Sequence, residues 1–140
     1  MDSNGSINVT GGNTVVVGPY SGGNNCVDKD TSLSVTGGNL IAIASSSAMW
    51  EDLSSNVSGT RLYNTNCGNT SNIAVVDESG NVVIYVSLPK TSSIGFYAFG
   101  DYTSSNNVLI NVTYTGDTDS NGVSYSGTAT GTSVSATLKN

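Results

Sequence analysis

No histidine occurs among the 140 residues, and Lys plus Arg number only four. Without an imidazole there is no Ser-His-Asp or Cys-His nucleophile system and no histidine metal centre. A pectate-type elimination needs a basic residue to abstract the proton, and the single Arg, Arg61, stands in no acidic cluster along the chain. Glu51 and Glu78 are a glycosidase pair on paper only, since nothing in the sequence sets their separation. The chain therefore reads as non-catalytic.

The scarcity of positive charge excludes more. Ten Asp plus Glu outweigh the four basic residues, for a net charge of −6. Such a surface repels phosphates and anionic headgroups, so neither nucleic acid nor a membrane is an expected partner. No apolar run approaches the roughly 18 residues of a membrane span, and none has the shape of a signal peptide. The expectation is a mature form whose export signal is missing, located outside the cell or on its surface. Only two cysteines are present, Cys26 and Cys67, without the close partners of a metal site. In a secreted chain two cysteines usually pair, and closing a loop of about 40 residues stabilises by roughly 3–4 kcal/mol. A Cys26–Cys67 disulfide is expected, with two buried thiols as the alternative.

What is present is β-branched alternation. Apolar residues make up only 36% of the chain, but Val and Ile recur at every second position in "INVT", "VVVG", "LSVT", "IAIA" and "LINVTYT". That period suits half-buried strands, and no apolar stripe at helical spacing exceeds about a turn. Seventeen glycines and runs of Asn, Ser and Thr provide the turns. The fold class is all-β, in one domain of residues 1–140.

Within it lies an internal repeat. "DSNGSINVTGGNTVVVG" at 2–18 matches "DKDTSLSVTGGNLIAIA" at 28–44 at a constant offset of 26 residues. A period in the twenties made of two short strands and two turns reads as one coil of a parallel β-helix, which the constant T-G-G-N spacing favours over the competing structure, a β-hairpin pair. Residues 1–45 are therefore expected to form two stacked coils, with Ile7, Val9, Val15 and Val17 pointing inward over Leu33, Val35, Ile41 and Ile43. The glycine pairs would make the corner, and Asn13 would sit over Asn39. From 46 to 140 the pattern changes to an irregular excursion followed by antiparallel strands. "NIAVVDESGNVVIYVSL" reads as a hairpin turning at Asp77 to Gly80. Tyr85, Phe96, Tyr97, Phe99 and Tyr114 read as the core of that layer.

Two kinds of site follow. Stacked coils place Asp2 and Asn4 over Asp28 and Asp30, an oxygen cluster that a calcium ion would relieve of its repulsion. Asp117 and Asp119, in a D-x-D-x-N-G turn, form a second candidate. A carbohydrate platform needs an exposed ring flanked by carboxylates or amides. Trp50 with Glu51 and Asp52 is the first choice, followed by Tyr20 and Tyr102.

The coil sequences "DSNGSINVTGGNTVVVGP" and "DKDTSLSVTGGNLIAIASSSAM" resemble the bacterial carbohydrate-binding-domain proteins built as calcium-binding, pectate-lyase-like β-helices. The later "DESGNVVIYVSLPKTSSI" and "YTGDTDSNGVSYSGTATG" are similar to the C-terminal strands of the same family. The resemblance implies an extracellular β-helix that binds acidic or cellulosic plant polysaccharides and carries calcium, without lyase activity. The competing expectation is a structural subunit. An uncapped first coil exposes an unpaired strand edge, and stacking on a neighbouring chain would build a homo-oligomer or an extracellular filament.

Overall fold

The two copies of the repeat lie side by side. In the computed structural model, which describes residues 1–50 and 59–139, β1 (Asp2–Ser3) runs parallel to β3 (Asp28–Lys29). Likewise β2 (Ser6–Val17) runs parallel to β4 (Ser32–Ser45), pairing Ile7 with Leu33, Val9 with Val35 and Asn13 with Asn39. Side chains reinforce the ladder. Ser32 Oγ donates to Ser6 Oγ at 2.9 Å, and Asn39 Nδ2 donates to Asn13 Oδ1 at 3.0 Å. Each copy bends at its second glycine, Gly12 at φ 72° and Gly38 at φ 74°, a region open to glycine at little cost.

The expected two-coil β-helix is not found among the described residues; the two copies form a parallel strand pair within a larger sheet. The free edge of β4 is taken antiparallel by β6 (Val82–Gly100), with Leu40 opposite Phe99 and Ile43 opposite Phe96. β6 pairs along its length with β5 (Thr60–Val76), which pairs with β7 (Asn107–Thr115), and β7 with β9 (Thr128–Val134). Two short pieces complete the sheet: β8 (Val123–Ser124) on β6, and β10 (Thr137–Lys139) on β5. The described chain is all-β, one mixed and mostly antiparallel sheet in the order β2-β4-β6-β5-β7-β9, with no helix or solenoid among the described residues. Two rungs are simply outnumbered by the antiparallel strands that follow them.

The expected hairpin joins β5 to β6. Asp77 Oδ1 accepts the N–H groups of Ser79 (2.8 Å) and Asn81 (2.9 Å), and the Gly80 N–H donates to Asp77 O at 3.1 Å. Those hydrogen bonds hold the Asp77 carboxyl below its ordinary range, with the Asn81 side chain the largest contributor. Further along β6, Pro89 falls in Leu88–Thr91, where the pairing skips from Thr70–Ser92 to Asn72–Ser87, the place in a sheet that tolerates a residue without an N–H.

Alternation puts two large cores on opposite faces of one sheet, and a third, smaller cluster gathers Ala74, Val76, Val82, Tyr85, Leu109 and Ala129. Leu40, Ala42, Ala44, Tyr97 and Phe99 face the coil, where Ile7, Val9, Leu33 and Val35 of the first leg close over them. Ile41, Ile43, Leu62, Ile94, Phe96 and Ala98 face the other way, into a core that extends through Ile73, Val75, Ile84 and Val86 to Val108 and Ile110. The inward assignment of Val15, Val17, Ile41 and Ile43 is thereby corrected. The bend at Gly12 and Gly38, where the ladder is irregular, reverses the parity of the second leg in both copies. Ile41 and Ile43 enter the second core, Val15 packs against it, and Val17 is 37% exposed. Leu40, Ala42 and Ala44 take the coil side instead.

The disulfide is corrected for the same reason. Cys26 is a buried free thiol in the coil core, and Cys67 is a buried free thiol in the core on the opposite face. A bridge needs Cα atoms within about 7 Å with converging Cβ vectors, and here a strand layer stands between them. Burial pushes the Cys26 thiol up to about 11 and the Cys67 thiol up to about 12.

Candidate functional site

Asp119 organises the turn that follows β7. Its Oδ1 accepts the N–H of Asn121 at 2.8 Å and of Val123 at 3.0 Å, while the Gly122 N–H donates to the Asp119 carbonyl at 3.0 Å. An Asp preceding a glycine turn closes on itself in this way because its short side chain reaches the backbone two residues on. The turn is clamped to β6: Ser87 N–H donates to Gly122 O at 2.8 Å, Val123 pairs with Val86, and the Val123 side chain enters the second core. Two residues on, past the end of β8, Tyr125 is 45% exposed.

Across from this turn stands the second leg of β2. Asn13, Val15 and Val17 form one wall of a groove of about 430 Å³, and Asp119, Asn121 and Tyr125 form the other. Val86, Ser87 and Pro89 of β6 supply its base. An exposed ring, a carboxylate, two amides and a short apolar strip thus share one open cleft. Burial is the main reason that the Tyr125 phenol stays above its ordinary pKa, and the nearby Asp119 charge adds to it. The ring is neutral across the physiological range. Two other grooves, one beside Leu62 and Ser133 and one beside Asp77 and Glu78, carry no aromatic ring.

The aromatic residues expected to form the platform lie elsewhere. Tyr102 is corrected outright: it is 3% exposed and belongs to the second core. Its loop folds back on itself, with Thr103 N–H on Asn106 Oδ1 at 2.8 Å and Asn106 N–H on Thr103 O at 3.1 Å, so a polar-looking segment carries a ring inward. Burial drives its phenol far above the ordinary value. Trp50 is half-buried and packs edge-on against Tyr97 at 4.9 Å, a closing piece of the coil core. Glu51 and Asp52 lie outside the described residues. Tyr20 is half-buried, with the Lys90 ammonium 4.8 Å from its ring centroid, a cation–π contact that occupies one face.

The acidic residues are distributed as follows. Asp2 and Asp28 are register partners in β1 and β3, and all four residues Asp2, Asn4, Asp28 and Asp30 are exposed. Backbone bonds from Asp30 N–H to Ser3 O and from Thr31 N–H to Gly5 O carry the stacking past this edge. Among the described residues no three Asp, Glu, Cys or His side chains converge on one point. In the second candidate, Asp119 is held by its own turn, and Tyr114 Oη donates to Asp117 O at 3.2 Å. The residue that sequence reasoning missed is Tyr125. Its signal was available, because it follows the same D-x-D-x-N-G turn and is flanked by Ser124 and Ser126. That turn suggested calcium, and the ring beside it was passed over.

Comparison of the chain with protein-family models, with curated proteins and with solved structures finds no match.

Proposed function

We propose that the protein is an extracellular, non-catalytic polysaccharide-binding module whose glycan lies in the groove between β2 and the Asp119–Tyr125 turn. The observation that carries this reading is Tyr125, an exposed ring bordered by Asp119, Asn121 and Asn13. A sugar ring has an apolar C–H face and a rim of hydroxyls. An aromatic face attracts polarised C–H groups, while carboxylate and amide groups take the hydroxyls. The groove is open at the surface, which suits a polymer passing through more than a small molecule enclosed. Affinity electrophoresis through gels containing soluble polysaccharides is the test. Retarded migration that Tyr125→Ala removes is the expected result, and mobility unchanged across neutral and acidic polymers overturns the reading.

Calcium belongs to this proposal at one place, the stacked Asp2 and Asp28 carboxylates. Two carboxylates fall short of the six to eight oxygens calcium takes, so the fit is incomplete and water would complete the shell. A melting temperature that millimolar calcium and chelator leave unmoved removes the ion from the reading.

A second reading, a subunit that assembles by strand stacking, has its own observation. β2 is the terminal strand of the sheet, twelve residues long, and "SINVTGGNTVVV" contains no charge and no proline. Those are the devices with which edge strands usually block pairing by another chain. Electron microscopy and light scattering at high concentration test it. Particles that stay monodisperse count against it, and filaments that Thr10→Lys abolishes support it.

A further inference from the structure

The groove's charge bears on which polysaccharide it takes. Of its lining residues only Asp119 has an acidic or basic side chain other than the phenol of Tyr125; the rest are amides, a serine, a proline and valines. No lysine or arginine lines it. The nearest basic residue in sequence is Lys90, next to the lining Pro89, and its ammonium is engaged over the Tyr20 ring. Resting on the polysaccharide reading, we infer that the groove selects neutral glycans against uronate polymers, with Asp119 as the specificity-determining residue.

The argument is electrostatic and geometric. Recognition of a uronate carboxylate calls for an arginine fork, a lysine or a run of free N–H donors. This cleft offers none of the basic groups, and the Asn121 and Val123 N–H groups are already given to Asp119 Oδ1. Those two bonds also fix the Asp119 carboxylate in place, so it has no freedom to swing away from an approaching anion. Two like charges about 6 Å apart weaken binding by roughly threefold at the dielectric constant of water and roughly a hundredfold at the value of about 20 typical of a protein surface. The net charge of −6 adds a longer-range repulsion to any polyanion. For a neutral chain, the same carboxylate is an acceptor for sugar hydroxyls, stronger than a neutral acceptor. Tyr125 keeps its proton, so the same wall also offers an uncharged ring and a hydroxyl that donates or accepts.

The experiment compares hydroxyethylcellulose with polygalacturonate, at low ionic strength and with chelator present so that no cation bridges anion to anion. Dissociation constants come from affinity electrophoresis of the intact chain. Binding of the neutral polymer at least about tenfold tighter than of polygalacturonate is expected. Asp119→Asn should narrow that ratio, because an amide oxygen still accepts the two turn bonds while the charge is gone. Asn121→Asp should widen it, and added salt should narrow it for the unaltered chain. Melting curves of both variants establish that they are folded. Equal or tighter binding of polygalacturonate overturns the selectivity and leaves the polysaccharide reading standing, as does a ratio that neither variant moves. Failure to bind either polymer overturns both.

Discussion

The coil half and the antiparallel half of this sheet bury comparable kinds of residue by different routes. In the parallel pair, residues 26 apart in sequence lie on one another, and the aliphatic side chains of Ile7, Val9, Leu33, Val35, Leu40, Ala42 and Ala44 pack with the rings of Tyr97 and Phe99. In the antiparallel half, partners such as Leu40 and Phe99 or Ile73 and Ile110 come from distant places, and the filling is mostly aliphatic around the rings of Phe96 and Tyr102. The coil is exposed on its outer rung, where Ile7 and Val9 are 9% and 8% exposed against 0% and 1% for Leu33 and Val35. A repeat of two thus has one protected rung and one edge rung. The same residue type at the same motif position should carry different weights in the two copies, and neither should match the centre of the antiparallel core.

Core truncations give the largest effect. Phe96→Ala, at a ring with no exposure that packs in the second core, should cost about 4 kcal/mol in denaturant unfolding. Leu33→Ala should cost about 3 kcal/mol, and Ile7→Ala at most about 2 kcal/mol because its rung is already partly wet. Equal losses at Ile7 and Leu33 would mean that something else covers the outer rung.

Glycine corners sharpen the contrast between copies. A Cβ at Gly38 would lie 2.2 Å from Gly12 O and 2.5 Å from Gly11 C, both backbone atoms of the stacked rung. At Gly12 nothing lies within 4 Å, so only the positive φ is penalised. Gly38→Ala should therefore destabilise by about 3 kcal/mol and Gly12→Ala by about 1 kcal/mol. Thermal melts of the two variants check it, and similar shifts would break the stacked-corner account.

The asparagine ladder should split in the same direction with smaller numbers. Asn39 donates to Asn13 and accepts the Asp101 N–H at 2.7 Å, linking the parallel pair to the antiparallel half, while the Asn13 side chain makes the single ladder bond among the described residues. Asn39→Ala should cost about 1.5 kcal/mol and Asn13→Ala about 0.5 kcal/mol, measured as a shift in the unfolding midpoint.

The thiols supply the smallest effect and a pH window. Burial raises both, so between the ordinary thiol value of about 8.5 and the folded values of about 11 and about 12 the folded chain keeps protons that the unfolded chain releases. Their contribution is full below about pH 8.5 and declines as pH rises through the folded values. At pH 8 a thiol reagent should label both cysteines only after denaturant is added. Rapid labelling of Cys26 alone in the native protein would show that the coil opens independently of the other core.

How much of this was legible follows from locality. The stacking register was readable because "SINVTGGN" and "SLSVTGGN" announce their own partner at a fixed spacing, and the Asp77–Asn81 hairpin because its turn chemistry is local. The neighbours of β4 were not readable, since antiparallel pairing with β6 depends on which distant apolar face fits. Nor was the polar knot at Thr70, a buried hydroxyl that accepts the Asn111 N–H at 2.8 Å where that residue sits at φ 51°. Thr70 looks like any other threonine in a chain rich in them. For the site, the turn at Asp119 was visible as a turn, yet its meeting with Asn13 and Val15 across a cleft joins segments more than a hundred residues apart.

By itself the sequence determined an all-β chain, two copies that pair in register, the hairpin, and an acidic surface lacking catalytic imidazole. These rest on period-2 alternation, repetition and composition, each a property of neighbouring residues or of simple counts. Only the tertiary structure decided which face each strand of the second leg presents, and with it that Cys26 and Cys67 lie on opposite sides of a sheet. It decided too that Tyr102 is core while Tyr125 is exposed. Side-chain direction in a strand reverses with each residue, so one irregularity at a glycine bend exchanges inside for outside, and that reversal is set by packing across the whole sheet.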